Sequence, residues 1–458
     1  MEILNRNRLY PVYYILLTGY FTLLMTSSLS AQTRQDTIPA QVTLPFCTKY
    51  ALAHQPLVKQ SLIDEEINER DIRVALSGWF PQLNANANLQ HYIDLPTVFF
   101  ANTAIPGSPK QPITNGLYNS STVELSANQV IYSTDLLFSG RTAHDLRTMS
   151  HENTQNSEIN TVVDVSKAFY DILITQEQLD VLNEDIQRLE RNYKDAYSLY
   201  QTGLTDKIDW QRTSIMLNNT KSQKRSTEES IKAKYSFLKQ LMGVPSPKQF
   251  TISFDSASLE KEAGFDTLEV MNYNQRIEYQ LIQTNMKIQN AKVGYYRWSF
   301  LPSVSAFYDY NFSWQNDQFS LLFKSNYPNS LIGLTLSVPI FQGASRWQNL
   351  KKAHLQYKNL EFGAEYLKSQ ITSEYTQALA SYKSNLNELQ ADKANTEIAR
   401  GIFNIVKLQY LKGIKTYLEV IVSETDLRSA QLNYLDALLR VLASKLDLQK
   451  ALGDITVN

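Results

Sequence analysis

Two pairs of very long helical segments constrain the fold of this sequence more than any other feature. Residues 141–202 contain neither glycine nor proline, and 204–242 are equally free of both. The second half repeats the arrangement, because 344–412 lacks proline and has only two glycines, and 414–452 has neither. At about 1.5 Å per residue, the longer member of each pair would span roughly 95–105 Å. Globular helices average about 11–12 residues, so we expect these helices to pack against one another as coiled coils.

The last of these segments carries the leucine spacing that a coiled coil requires. Its leucines follow one another at alternating steps of three and four residues: Leu432, Leu435, Leu439, Leu442 and Leu446. This spacing places them on one face of a helix. We therefore predict that this stripe packs against a neighbouring helix.

Short motifs that recur at a nearly constant offset show that the chain is duplicated. Two pairs are offset by 210 positions and one by 221, and they are residues 200–204 with 410–414, 240–243 with 450–453, and 79–83 with 300–304. The larger offset indicates a longer loop in the first half. We predict a first repeat over 42–243, a linker over 244–265, a second repeat over 266–453 and a tail over 454–458.

Each repeat also contains a segment whose apolar residues alternate with polar ones, as in a β-strand with two different faces. An amphipathic helical stretch over 44–79 ends at Pro81, and the residues after it alternate between an apolar set and amides. The predicted strands are 82–90, 122–132, 303–314 and 332–340, which form hairpins over about 82–132 and 303–340. The loops between them, 94–119 and 315–329, are polar and predicted to be exposed and irregular.

The N-terminus has the pattern of a secretory signal. Arg6 and Arg8 precede an apolar run over 13–25, which small residues follow up to Ala31. The run is shorter than the ~20 residues needed to span a bilayer, so we predict a signal peptide over 1–31. An exported chain with strands that are apolar on one face and polar on the other fits a transmembrane β-barrel.

The number of strands then requires more than one copy of the chain. Two hairpins supply four strands, whereas the smallest closed transmembrane barrels have about eight. An open sheet edge in the hydrocarbon would leave backbone groups without hydrogen bonds. Three copies would give twelve strands, but composition alone does not choose three over two.

These features resemble the TolC-like outer membrane efflux proteins over about residues 42–453. The resemblance rests on the twofold repeat, the proline-bounded strands and the tip sequences at 203–209 and 413–419. It implies α plus transmembrane β architecture, in which a homotrimer in outer membrane lipid forms a twelve-stranded β-barrel continuous with a periplasmic α-helical barrel. It also implies a passive exit duct for efflux or secretion, with a periplasmic adaptor and an energised inner-membrane transporter as partners. Neither cargo nor pump class follows from it.

The resemblance also assigns roles to residues at the helix tips. Gly203 and Gly413 would form the tip turns, where the adaptor docks. Glu419 would ring the closed pore, although Val422 stands where the family commonly has a second acid. A lock that holds the entrance shut would consist of Asp209, Tyr410 and Lys415. Lysine in place of the more usual arginine cannot form the bidentate fork, which predicts a weaker lock.

Other functional classes find little support in the sequence. Lys+Arg 44 against Asp+Glu 45 provides no basic excess for nucleic acid. The five histidines show no metal-ligand spacing and no nucleotide-binding glycine motif occurs, so we predict no catalytic residue, metal or cofactor. One alternative is an exported structural coiled-coil or adhesin protein. A second is the adaptor of the same machine, which normally carries a lipoyl-like β-domain between paired helices; no such domain lies between the paired helices here.

Overall fold

The computed structural model describes residues 38–100, 110–245, 248–253, 256–266 and 270–457. The predicted signal peptide lies outside these residues, as do parts of the first inter-strand loop and of the linker. The chain divides into a small unit, residues up to Val42 with Gln249–Thr251, and a large unit that contains the rest. Within the small unit, the backbone N–H of Thr251 donates to the carbonyl of Ala40 at 2.8 Å.

The two halves of the chain contain the same succession of helix, hairpin, long helix and shorter helix. In the first half the elements are β1 (Gln41–Val42), α1 (Leu44–His54), α2 (Pro56–Ser77), β2 (Gln82–His91), β3 (Thr97–Phe100), β4 (Gln111–Thr114), β5 (Asn119–Tyr132), α3 (Thr134–Gln201) and α4 (Lys207–Met242). In the second half they are β6 (Thr251–Ile252), α5 (Ser256–Glu262), α6 (Ile277–Trp298), β7 (Ser303–Asn316), β8 (Asn329–Ser337), α7 (Ser345–Leu411) and α8 (Tyr417–Leu452). Short 3-10 turns occupy Tyr273–Gln275 and Phe319–Lys324.

The long helices are nearly equal in length in the two halves, at 68 residues for α3 and 67 for α7. Helix α3 begins earlier than the glycine-free run predicts, because Ser133 caps it by accepting the N–H of Asp135 at 3.2 Å. It then runs through Gly140 without interruption. A glycine inside a helix costs about 1 kcal/mol relative to alanine, which a helix of this length tolerates.

The amphipathic stretch over 44–79 is two helices and not one. Gln55 separates α1 from α2 with an extended backbone, φ −60° and ψ 124°. Pro56 follows it, and a proline disfavours the helical conformation in the residue before it. The side chain of Gln55 accepts the N–H of Leu57 at 2.9 Å and so caps α2.

One four-stranded antiparallel sheet in the order β2-β5-β7-β8 joins the two repeats. Directly opposed residues share a face, and one cross-strand row consists of Leu83, Ala127, Tyr308 and Ile332. In the single chain, the side chains of Leu83, Tyr308 and Ile332 in this row are exposed. The alternation predicted from the sequence therefore places a continuous apolar surface on one side of the sheet.

The opposite face of the sheet is polar over most of its length. One of its rows contains Asn86, Glu124, Asn311 and Asn329. The outer strands β2 and β8 each have a partner on one side only within the part of the chain that the structure describes. A two-faced sheet with two free edges is the main feature that bears on assembly.

Two details of the hairpins differ from the sequence predictions. Strand β8 ends at Ser337, three residues before the predicted end, because Pro339 has no N–H to continue the ladder. The predicted irregular loop over 94–119 contains a two-stranded ribbon in which Thr97 pairs with Thr114 and Val98 with Ile113. The loop is rich in turn-forming residues, so its composition gave no indication of this short ribbon.

The shorter helices pack along the long ones, and α8 contacts both α7 and α3. Only Leu435 and Leu442 of the predicted leucine stripe are buried, and the buried face is widened by Leu438 and Val441. Contact with two partner helices explains this wider face, since a strict heptad seam serves one partner.

Helix α5, which lies in the predicted linker, is hydrogen-bonded to three other helices. Glu260 accepts from Lys393 of α7 at 2.6 Å and from the Tyr434 hydroxyl of α8. Glu262 accepts from the Tyr170 hydroxyl of α3 at 2.8 Å. The linker therefore connects the two repeats through side chains as well as along the chain.

Among the residues that the structure describes, no helix combines the length and the apolarity needed to cross a bilayer.

Candidate functional site

The two helix tips turn at glycines with the same backbone conformation. Gly203 has φ 77° and Gly413 has φ 74°, a left-handed region in which a side chain is strained. The N–H of Leu204 donates to the carbonyl of Leu199 at 2.9 Å, and the N–H of Ile414 donates to that of Gln409 at 2.9 Å. These bonds form the same C-terminal capping motif at both tips, with the 210-residue offset of the repeat.

The helices that leave the tips are capped by different residues at equivalent positions. Asp206 caps α4 by accepting the N–H of Ile208 at 3.3 Å. Thr416 caps α8 in a capping box, because it accepts the N–H of Glu419 and the Glu419 carboxylate accepts the Thr416 N–H at 2.9 Å. The capping box therefore holds the Glu419 side chain at the N-terminus of its own helix.

The same carboxylate is also paired with Lys415. Lys415 Nζ lies 2.5 Å from Glu419 Oε1, and both side chains are partly exposed. The hydrogen bond from Lys415, and next the backbone N–H of Thr416, hold the pKa of Glu419 below its usual value. Within one chain, the residue predicted for the pore constriction and the base predicted for the lock therefore bond to each other.

The other two predicted lock residues lie near each other but share no hydrogen bond in the described part of the chain. Asp209 is in the first turn of α4, and its backbone carbonyl accepts from Thr213 Oγ1 at 2.9 Å. Tyr410 packs its ring on that of Tyr417, with centroids 5.5 Å apart. Burial is the largest influence that raises the pKa of Tyr410, and the charges of Asp209 and Asp195 add to it. The structure thus brings Asp209 close to Tyr410 and pairs Lys415 elsewhere.

A buried hydrogen bond that the sequence did not predict joins the two repeats at the tips. The Tyr417 hydroxyl and Thr213 Oγ1 are 2.8 Å apart, and both residues are buried. Burial raises the pKa of the Tyr417 hydroxyl to about 12. No signal short of the three-dimensional arrangement pairs these residues, which are 204 positions apart.

Four charged residues form a second unpredicted link, which we call the ionic cluster: Asp185 and Arg188 of α3 with Glu424 and Arg428 of α8. Arg188 Nε lies 3.2 Å from Glu424 Oε1, and Arg428 lies 2.9 Å from Asp185 Oδ2. Arg188 also lies 3.1 Å from Asp185 Oδ1. The acids are 0% and 1% exposed, so each depends on the two guanidinium groups to compensate its lost hydration.

Neutral side chains complete the ionic cluster. Asn192 of α3 donates to Glu424 Oε2 at 3.1 Å, and Arg428 donates to Thr220 Oγ1 of α4 at 2.9 Å. Burial and, after it, the charge of Asp185 raise the pKa of Glu424, and the two arginines oppose this shift. The cluster therefore binds α3, α4 and α8 together behind the tips.

A cleft of about 170 Å³ lies between the ionic cluster and the tips. Arg191 and Asp195 of α3 line one side, and Lys407 and Tyr410 of α7 line the other. Within the described residues no group of three or more histidine, cysteine or carboxylate side chains could hold a metal ion. The arrangement offers mechanical links between helices and charged groups beside a cleft.

The sequence profile of the family described as outer membrane efflux protein matches residues 48–244 and 282–454. A probable efflux pump outer membrane protein of Pseudomonas putida, TtgC, is 24% identical over 430 residues, which cover 87% of this chain and 83% of that protein. The cation efflux system protein CusC of Escherichia coli strain K12 is 22% identical over 348 residues, with 73% and 74% covered.

Solved structures of similar fold include CusC, with a TM-score of 0.72 at 17% identity over 89% of this chain and 91% of that one. The open state of the MtrE channel of Neisseria gonorrhoeae has a TM-score of 0.72 at 19% identity, with 90% and 88% covered. VceC of Vibrio cholerae has a TM-score of 0.69 at 16% identity, with 90% and 96% covered. The similarity to these channels extends over both repeats.

Proposed function

The chain belongs to the outer membrane efflux protein family, and from this premise we propose that three copies close into one twelve-stranded pore with a gate at the helix tips. Membership makes the chain an outer membrane channel for efflux, whose long helices extend into the periplasm. The family is one of channel proteins that work in tripartite systems with an adaptor and an inner-membrane pump.

The observation that carries the proposed assembly is the sheet with two free edges. Its apolar face suits lipid and its polar face suits a water-filled channel. Strands β2 and β8 lack a partner on their outer sides within the described chain, and such edges are not tolerated in hydrocarbon. Pairing β2 of one copy with β8 of the next satisfies both edges and leaves no chain with an exposed ladder.

In this proposal the duct is passive and catalyses no reaction. A periplasmic adaptor docks at the tip turns of Gly203 and Gly413, and an inner-membrane transporter supplies the energy.

The gate in this proposal consists of the predicted tip residues in three copies. Glu419 carboxylates converge at the constriction, each beside its own Lys415. Asp209 and Tyr410 contribute to a lock on the neighbouring face, with Tyr410 made less acidic by burial and by the nearby carboxylate. Opening separates the tips without a chemical step.

The domain boundaries are part of the proposal as well. Residues 1–31 are a cleaved signal, 42–243 and 266–453 are the two repeats, 244–265 is the linker and 454–458 is the tail. Mass spectrometry of the mature protein tests the first of these boundaries, because an N-terminus still at Met1 would contradict cleavage.

Reconstitution tests the proposed pore against the alternative of an exported structural coiled coil. We expect the mature protein to require detergent for extraction, to have the mass of three chains, and to conduct ions in planar bilayers. A heat-dissociated sample of the same preparation serves as the control. A soluble protein that does not conduct would overturn the channel assignment in favour of the structural alternative.

A further inference from the structure

A carboxyl group lies inside the contact between α3 and α6, where the first repeat packs against the second. The Glu152 side chain of α3 is 8% exposed. Its Oε1 accepts from Thr284 Oγ1 of α6 at 3.0 Å, and Thr284 is 2% exposed. Glu152 Oε2 is buried as well and has no hydrogen-bond partner within the described part of the chain. One oxygen of this carboxyl group is therefore bonded and the other is not.

The charged groups around Glu152 act on it from a distance. Lys287 of α6 and His151 of α3 are the two cations whose charges influence it. The other acids of this region are Glu65 of α2, which lies 3.6 Å from His151, and Glu158 of α3. Glu152 is therefore the most buried acid of the group, and among the described residues no base forms an ion pair with it.

A buried carboxyl group with one bonded oxygen is more stable with its proton than without it. Ionisation would leave the charge of Glu152 with a single hydroxyl as its bonded partner, and a buried charge without compensation is costly. Burial is accordingly the largest influence on the pKa of Glu152 and raises it, while the Thr284 bond and the two cations oppose this shift. In the packed chain the group keeps its proton to a higher pH than an ordinary glutamic acid does.

The second repeat shows that the fold does not need a carboxyl group at this position. With the offsets of the duplication, Glu152 corresponds to Phe362 and Thr284 corresponds to Ile63. Apolar residues of similar volume are often as stabilising as a buried polar pair, or more so. A titratable group where the duplicate has apolar residues breaks a packing rule, and such departures are typical of functional positions.

Helix α6 is fixed to neighbouring helices at both ends. At the end near the sheet, Thr134 Oγ1 donates to the carbonyl of Trp298 at 3.2 Å. At the other end, the buried guanidinium of Arg276 donates to the carbonyl of Ala451 at 3.1 Å. The bond from Thr284 lies between these two anchors, so it can change without releasing the helix.

We propose that the proton of Glu152 operates a latch between the two repeats: Thr284 holds the protonated group inside the contact, whereas the ionised group turns to Lys287 and admits water. Lys287 follows Thr284 by three residues, so the two lie on neighbouring parts of one side of α6. Its side chain is exposed and carries the counter-charge that the carboxylate requires. The latch lies within one chain, goes beyond the proposed pore, and makes the packing of the repeats respond to the acidity of the periplasm.

Ionisation of Glu152 should weaken this contact as pH rises. The folded-state pKa of Glu152 is above the unfolded value, so the unfolded chain releases this proton first. The contribution of Glu152 to stability is therefore fully present below the ordinary value of 4.5 and is lost as pH rises through the raised value. Glu69, whose pKa the paired arginines lower to about 2, behaves in the opposite way.

Hydrogen–deuterium exchange of the mature protein in detergent tests the latch. Exchange of peptides from 146–158 and 280–290 is followed between about pH 5 and 8 and corrected for the intrinsic effect of pH on exchange. In the native protein we expect protection to fall about tenfold in one step. The variant Glu152→Gln retains an oxygen for the Thr284 bond and carries no charge, so its peptides should stay protected throughout.

Two lysine variants make the result specific to the latch. Lys287→Met should move the step to higher pH, because the charge of Lys287 lowers the pKa of Glu152. Lys292→Met, which changes another lysine of α6, should leave the step in place. An unmoved step in Lys287→Met would overturn the latch, and so would a native step in Glu152→Gln.

The outcome does not depend on folding of the glutamine variant or on the pore. Lys287 is exposed, so Lys287→Met decides the question even if Glu152→Gln does not fold. Conductance of the native protein is measured separately. A conducting channel without the step refutes the latch alone, whereas a step in a protein that does not conduct refutes the proposed pore alone.

Discussion

The helices that lead to the two tips, α3 and α7, have the same backbone course and opposite chemistry along one face. On α3 this face is polar, with Arg188, Asn192, Asp195, Ser198 and Gln201; on α7 it is apolar, with Ile398, Ile402, Ile405, Leu408 and Leu411. The tip glycines and their capping bonds are alike in the two repeats. Duplication has therefore preserved what bends the chain, while the side chains that contact other helices have diverged.

The largest expected effect comes from removing one charge of the ionic cluster. Arg428→Ala leaves Asp185 and Glu424 with one guanidinium between them, and breaking a buried pair in this way costs about 3–5 kcal/mol. We expect a clear loss of thermal stability and a higher single-channel conductance. The control is Arg440→Ala, whose pair with Glu388 is about half exposed and contributes about 0–1 kcal/mol.

If the two arginine variants melt alike, the ionic cluster contributes no more to stability than the half-exposed pair of Arg440 with Glu388. A conductance that stays at the native value while stability falls would separate the roles, since the cluster would then support the fold without restraining the tips.

Alanine at the tip glycines should have equal effects in both repeats. A side chain at φ 77° or 74° costs roughly 1–2 kcal/mol, and no heavy atom beyond the adjacent residues lies within 4 Å of a Cβ added at Gly203 or Gly413. Unfolding of Gly203→Ala and Gly413→Ala in parallel measures this. If the free energies of unfolding of the two variants differ by more than about 1–2 kcal/mol, the two tips are not equivalent even in backbone conformation.

A smaller effect is expected from the buried bond between the repeats. Tyr417→Phe removes the bond to Thr213 and should cost about 1 kcal/mol. Tyr410→Phe is the matched control, because Tyr410 contributes its ring contact and the phenyl ring retains it. Equal stability of the two variants would show that the bond contributes nothing measurable.

Substitutions at Glu419 and Lys415 should have the smallest effect on stability. They should, however, change how divalent cations block the channel. The folded-state pKa of Glu419 is below its unfolded value, so its stabilisation is present above the unfolded pKa and is lost as pH falls through the lowered value. Lys415→Ala should strengthen block by divalent cations, since the carboxylate loses its partner, and Glu419→Ala should weaken it. Block that is the same in both variants would place the constriction elsewhere.

The proposed lock has its own test. Asp209→Ala/Lys415→Ala should raise single-channel conductance if these residues restrain the tips, and Lys415→Ala alone shows how much of the change comes from the freed Glu419 carboxylate. Native conductance in the double variant would remove Asp209 and Lys415 from the gate.

Much of the fold was predictable because its signals are local. Absence of glycine and proline marks the long helices, alternation marks the strands, and Gly203 and Gly413 mark the turns. The break at Gln55 was missed although Pro56 was visible, because the apolar periodicity continues across it. The end of β8 was predicted too late for a similar reason, because the alternation of apolar and polar residues continues to Val338.

The site was less predictable because it depends on contacts between distant segments. Lys415 and Glu419 are four residues apart, a spacing that allows a helical ion pair, yet the family resemblance assigned them to separate roles. Asp185 and Arg428 are 243 positions apart, and each alone looks like an ordinary charge on a solvated helix face. Burial, which only the packed structure reveals, distinguishes them from such charges.

The pairing of β5 with β7 has a consequence for the order of synthesis and export. Near this pair, the N–H of Tyr118 bonds to Asp317, a residue 199 positions later in the chain. A strand made early must therefore wait until two long helices have been made and exported before its second neighbour exists. Closing so long a loop slows pairing, so β5 gains its second strand neighbour only after α3 and α4 have left the ribosome, whereas α7 and α8 follow the completed set of strands in the chain.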